Sequence, residues 1–423
     1  MIPRVHQLSN GVRVICDPMP GLQSLALTVA VGAGSRWESP QVSGWAHLLE
    51  HMVFKGAGSR SAREIVEAVE ADGGQINAAT GYERTSFQLR CLKGGLPLSM
   101  EISADLIRRP ILDAHDLERE KQVVGQEIAE AADAPDDRVF DLAQSKAFAG
   151  QAMGRPILGT DESVGAAAKD TLSAFHGRLY ACDRLVVSAA GAVDEDELLA
   201  LTEQAFGDAR PPADPLPAPE DVRFEGGAMA ETRPLEQAQI VLLLPAPGAR
   251  DPDYFALRLF AEILGGGMSS RLFQHLREDR GLAYAIDAYA DTYADAGVLG
   301  VYAGTAAKDA AETARLVAEE IKALATKVEP AELARAKAQA KAHLFMGREA
   351  PMNRAEQAAG QVLLFGRPFD PIELAEAIDS VTEADLKRIG ERLLTPGLSA
   401  AAVLGPKRAG AAAEAFSKAL ARG

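Results

Sequence analysis

The stretch Ala71-Asp72-Gly73-Gly74-Gln75-Ile76-Asn77-Ala78 closes a segment that opens at Ser61-Ala62-Arg63. About 208 positions later the same order of features returns, from Ser269-Ser270-Arg271 to Glu278-Asp279-Arg280-Gly281-Leu282-Ala283-Tyr284-Ala285. In both copies a short amphipathic helical pattern stops at glycine and a strand pattern begins. The parallel extends outward on each side. Apolar residues 25–31 correspond to residues 239–244, and residues 185–191 correspond to residues 398–405. A repeat that keeps its order over this distance implies a duplicated unit, so two lobes of similar fold are expected. Between them, Pro211, Pro212, Pro215, Pro217 and Pro219 stand among polar residues and form an extended linker. The expected division is a first lobe over 1–210, a linker over 211–227 and a second lobe over 228–423. Strands with period-two alternation, such as residues 85–91, are interleaved with long helical stretches, and each lobe therefore reads as an α/β or α+β layering of sheet and helices.

Composition narrows the function. The 423 residues are 47% hydrophobic and 25% charged, the balance of an ordinary globular chain. The net charge is −16, the opposite of the basic footprint of a nucleic-acid binder, so no nucleic-acid partner is expected. The apolar run near residues 25–32 is far too short to span a bilayer, and no membrane partner is expected. Cys16, Cys91 and Cys182 are odd in number and widely spaced, which fits neither a disulfide framework nor a CxxC metal site. A reducing, cytoplasmic setting is the expectation.

The chemical signal lies in His47-Leu48-Leu49-Glu50-His51. On a helix, positions i, i+3 and i+4 share a face, so both imidazoles and the carboxylate project together while Leu48 and Leu49 turn toward packing partners. With 7 His and 60 acidic residues, this spacing arises by chance about 0.016 times in the whole chain. A solvated helix face carrying a His pair is the plainer alternative. Catalytic zinc takes three protein ligands and keeps one open position, which directs attention to a carboxylate elsewhere. Glu120 and Glu127 are seven residues apart, two turns along one helical face. Taken alone they read as solvated charges; only beside the histidines do they read as a ligand and its support.

With this further Glu 76 positions after its second His, the motif resembles the inverzincin metallopeptidases of the pitrilysin family, which includes insulin-degrading enzyme and the mitochondrial processing peptidase. The likeness continues in Met52-Val53-Phe54-Lys55-Gly56, Ile76-Asn77-Ala78, Pro156-Ile157-Leu158-Gly159 and Gly265-Gly266-Gly267-Met268-Ser269-Ser270-Arg271-Leu272-Phe273, and is greatest to bacterial homologues of the processing peptidase. It implies an α+β fold of two homologous lobes, each a mixed β-sheet packed against helices. By the same resemblance His47, His51 and Glu127 hold Zn2+, Glu50 is the catalytic base, and Glu120 supports a ligand histidine. One departure is Gln126, where many relatives carry a second Glu.

The second half has Arg258 and Glu262 where the first has its histidine helix, and no His there, so no second metal is expected. Arg277 and Tyr284, seven apart, resemble the pair with which the family's C-terminal lobes complete the active site, which implies that they orient substrate and donate to the oxyanion. The resemblance also implies a homodimer with composite sites, and an edge at Asn77 and Ala78 that pairs with the backbone of a peptide substrate. Gly265-Gly266-Gly267 lacks the Lys-Ser/Thr of a phosphate loop and reads as a helix end, with Ser269 or Ser270 capping the next helix as Ser61 and Glu64 cap its counterpart. The expectation is a zinc-dependent endopeptidase acting on extended or presequence-like peptides, with acidic residues favouring basic substrates. Two rivals stand beside it: an inactive structural or assembly subunit of the same fold, and a metal-binding scaffold in which Glu50 is idle.

Overall fold

The computed structural model describes residues 2–421. Two compact units account for them. The first comprises the residues up to Ile128 together with Pro156–Pro219 and Phe345–Pro371. The second comprises Ala129–Arg155, Glu220–Leu344 and the residues from Ile372 onward.

In the first unit, strands β1 (Val5–Gln7), β2 (Arg13–Pro18) and β3 (Ser24–Val31) are followed by a small hairpin of β4 (Gly56–Ala57) and β5 (Arg60–Ser61), then by β6 (Gln75–Thr80), β7 (Thr85–Leu92) and β8 (Leu185–Gly191). Six of them form one sheet in the order β1-β2-β8-β3-β7-β6. The β2/β8 pair is parallel and the remaining neighbours are antiparallel. The second unit contains β9 (Gly227–Thr232), β10 (Gln237–Ala246), β11 (Ala283–Thr292), β12 (Gly297–Ala306) and β13 (Ala400–Gly405), ordered β11-β12-β10-β13-β9. Its β13/β9 pair is parallel and its other pairs antiparallel. Read from β6 and from β11, the two sheets have one topology, which is the α+β duplication that the repeat predicts. The first adds an extra edge strand, β1.

The repeated apolar segments turn out to be the central strands. Every residue of β8 and of β13 is buried, as is all of β3 after Ser24. A strand buried on both faces reads as a continuous apolar run rather than an alternation, and it needs a cover on each side. One face of the first sheet lies over the main core, which includes Leu27, Val29, Leu48, Leu49, Phe87 and Leu89. The other face, with Ile15, Ala30 and Val186, packs on Ala358, Ala359 and Val362 of the helix Pro351–Phe365. In the second unit the helix Pro135–Ala147 packs against β10 and β13. Each sheet is thus completed by a helix from the other half of the chain. The compact units therefore do not coincide with a consecutive division into 1–210, 211–227 and 228–423: residues 129–155 and 345–371 cross it.

Candidate metal centre

The helix Trp45–Val53 buries Trp45, Ala46, Leu48, Leu49, Met52 and Val53, leaving His47, Glu50 and His51 half-buried on the opposite side. Its start is fixed by a buried carboxylate. Glu38 accepts from the Gly44 amide (2.8 Å) and the Ala46 amide (2.7 Å), satisfying donors that a helix N-terminus otherwise leaves open. Gly44 is required there, since its φ is 86° and a Cβ would lie 2.4 Å from the Leu158 carbonyl oxygen.

The helix Ala114–Asp133 brings Glu120 and Glu127 to the same place. His47 Nε2 and His51 Nε2 lie 3.7 Å and 3.5 Å from Glu127 Oε2. The ligand atoms of these three residues all fall within 4.8 Å of one another, the one such grouping among the described residues. For bonds of 2.0–2.2 Å in a tetrahedron, neighbouring ligand atoms sit about 3.3–3.6 Å apart, so the spacing fits a zinc ion. The donor chemistry fits too. Burial, reinforced by the neighbouring His51, lowers the His47 imidazole to about 4, which keeps it neutral with a lone pair to give. His47 Nδ1 is buried without a hydrogen-bond partner, whereas His51 Nδ1 lies 3.3 Å from Glu120 Oε2.

Glu50 points to the same space from between the histidines. Burial raises its carboxyl pKa, opposed by a hydrogen bond from the Thr80 hydroxyl to Oε2 (2.6 Å) and by the nearby His51. Thr80 and Ala78 share the partly buried face of β6, while Asn77 is exposed on the other. β6 is the terminal strand of its sheet and packs against the histidine helix.

Arg277 and Tyr284 belong to the second unit, and both occupy irregular backbone. Arg277 is on the π-helical turn Phe273–Glu278, where the first unit has the regular α-helix Ala62–Ala71. Its guanidinium stacks 4.7 Å from the Phe273 ring centroid. Tyr284 is the unpaired residue of a β-bulge, since Ala283 faces Thr305 and Ala285 faces Gly304, and it is 68% exposed. Such irregularities re-aim side chains and are common at functional sites. The Ser61–Glu64 capping box forms as expected, but the Ser270 hydroxyl is buried without a partner and so caps nothing.

Sequence reasoning missed Thr80 and Lys55. Lys55 Nζ donates to Glu120 Oε1 at 2.8 Å. Its position four residues after His51, in the turn that closes the same helix, was a usable signal; no local pattern linked Thr80 to Glu50.

Comparison with known proteins bears on this centre. Residues 13–161 match the family described as Insulinase (Peptidase family M16), and residues 167–340 match that described as Peptidase M16 inactive domain. The chain belongs to the M16 (pitrilysin/insulinase) peptidase family. A Rickettsia bellii protein named as an uncharacterized zinc protease is 34% identical over 408 residues, covering 95% of this chain and 97% of the relative. The name of that relative includes zinc, the ion that the donor set and spacing of His47, His51 and Glu127 fit. Two solved structures share the fold. A protease from Helicobacter pylori has a TM-score of 0.88 at 22% identity, covering 96% of this chain and 100% of its own. A chain of complex III2 from Candida albicans has a TM-score of 0.86 at 21% identity, covering 99% of each. No helix among the described residues is long and apolar enough to cross a membrane.

Proposed function

We propose that this M16 chain is an endopeptidase that cleaves extended peptide segments at a zinc held by His47, His51 and Glu127. The observation that carries the reading is the convergence of these three ligand atoms within 4.8 Å, with the Glu50 carboxylate beside them. Bound there, zinc supplies Lewis acidity toward a carbonyl oxygen and acidifies water. Glu50 Oε2 is engaged by Thr80, so Oε1 is the oxygen left to take a proton from the attacking water and deliver it to the leaving nitrogen. Burial raises the basicity of that carboxylate, as a proton shuttle at neutral pH requires.

The terminal strand β6 offers its outer edge to an extended peptide, which would add as a further strand past Asn77 and Ala78. Recognition through main-chain groups tolerates varied side chains and favours unfolded segments over folded domains. The charge of −16 favours basic, presequence-like ones. Arg277 and Tyr284 would bind the substrate and its developing oxyanion, contributed by a partner copy in a homodimer. Their irregular backbone and exposure support this role. Three unpaired thiols, Cys16, Cys91 and Cys182, suit a reducing cytoplasm.

The rival reading, a structural subunit, draws on the fold shared with a chain of complex III2. Zinc content per chain and cleavage of unstructured peptides, measured for the wild type and Glu50→Gln, separate the readings. The peptidase reading expects metal in both proteins and cleavage by the wild type alone. A wild type without metal supports the structural subunit, and metal without any cleavage supports the scaffold.

A further inference from the structure

The Glu120 carboxylate is nearly enclosed, with its side chain only 6% exposed, and its two oxygens face two different groups. Oε2 lies 3.3 Å from His51 Nδ1, and Oε1 accepts from Lys55 Nζ at 2.8 Å. Lys55 stands one residue past the C-cap Phe54 of the histidine helix, and its amide is tied back to the Met52 carbonyl at 3.1 Å. The ammonium is therefore delivered by the turn that closes the helix carrying His51, four residues further on. A buried carboxylate without a compensating cation is costly and turns toward whatever charge or solvent it can reach.

We infer that Lys55 is a positioning residue for the zinc centre: by occupying Glu120 Oε1 it reserves Oε2 for His51 Nδ1–H, which fixes the His51 tautomer and ring orientation and leaves Nε2 free toward the metal. This rests on the ligand set proposed above. A carboxylate behind a ligand histidine is worth about 10–100-fold in metal affinity. Here that support depends on a third member, the lysine, at i+4 from the ligand. His47 has no equivalent, since its Nδ1 is buried without a partner. The two histidines are thus held unequally, and Lys55 acts on the anchored one.

The test is a double-substitution cycle read by zinc affinity in chelator competition, without substrate. Lys55→Met is expected to weaken zinc binding by about 10–100-fold, comparable with Glu120→Gln, while Lys55→Arg, which keeps the charge, is expected to stay within about threefold of wild type. In the E120Q background Lys55→Met should change affinity by less than about twofold, because the group it acts through is already lost. Thermal melts of the metal-free proteins accompany the measurement, and Lys55→Gln replaces Lys55→Met in the cycle if the latter does not fold. Wild-type affinity in Lys55→Met overturns the proposal. So does wild-type affinity in Glu120→Gln, equal weakening in Lys55→Met and Lys55→Arg, or an undiminished Lys55 effect in the E120Q background. Zinc affinity is independent of turnover, so a protein that binds zinc but cleaves nothing would refute the peptidase reading while the affinity cycle still tested Lys55.

Discussion

The Thr80 hydroxyl donates to Glu50 Oε2 at 2.6 Å, joining the terminal strand of the first sheet to the histidine helix. One hydrogen bond thus links the edge proposed to receive the peptide with the group proposed to move the proton.

Replacing Thr80 with Val keeps the shape and removes that donor. The bond favours the ionised carboxylate, so its loss should raise the Glu50 pKa further, and the acidic limb of the kcat/KM profile should move to higher pH. At neutral pH kcat/KM should fall by about tenfold, with Thr80→Ser close to wild type. Unchanged zinc content, checked by metal analysis, would separate this effect from ligand loss.

Arg277 and Tyr284 should separate binding from chemistry. Tyr284→Phe is expected to lower kcat by about 10²-fold or more, as loss of an oxyanion donor does. Arg277→Ala should raise KM, and Phe273→Leu, which removes the ring beneath the guanidinium, should do so more weakly. Steady-state kinetics on one peptide give all three, and a Tyr284→Phe enzyme with wild-type kcat would exclude the assigned role.

His176 provides a pH test away from the metal. Burial lowers its imidazole to about 4, although Nε2 lies 2.9 Å from the Ile107 carbonyl oxygen. The unfolded chain therefore binds a proton near pH 6.5 that the folded chain refuses until about pH 4, and wild-type stability must fall relative to a non-titrating variant as pH drops through that window. Denaturant unfolding of the wild type and His176→Asn from about pH 7.5 to about pH 4.5 should show a difference whose slope approaches one proton. A pH-independent difference would contradict the assignment.

Asp17 tests the helix exchange. It is 4% exposed and takes two hydrogen bonds, each 2.7 Å, from Arg354, with Arg348 at 3.7 Å. Both arginines belong to the segment 345–371 that covers the first sheet. Asp17→Asn removes the carboxylate that pairs with Arg354 and lies beside Arg348, and should cost about 3 kcal/mol in denaturant unfolding. A fragment ending at Pro219 lacks Ala358, Ala359 and Val362, leaves Ile15, Ala30 and Val186 uncovered, and should fail to give a cooperative transition.

The sequence by itself determined the shared face of the histidine motif, the duplication and the order of elements. These are encoded in short-range spacing: His47, Glu50 and His51 share a face because a helix turns every 3.6 residues, and the central strands betray themselves as unbroken apolar runs because both their faces are buried. The tertiary structure alone decided what depends on contacts distant along the chain. It brought Glu127 to His47 and Thr80 to Glu50, set Tyr284 on a bulge, and sent residues 345–371 back to the first sheet. An amphipathic helix announces that it has an apolar face, but not which sheet will cover it. That choice is made by the surface each sheet still has to remove from water once its neighbouring elements are in place.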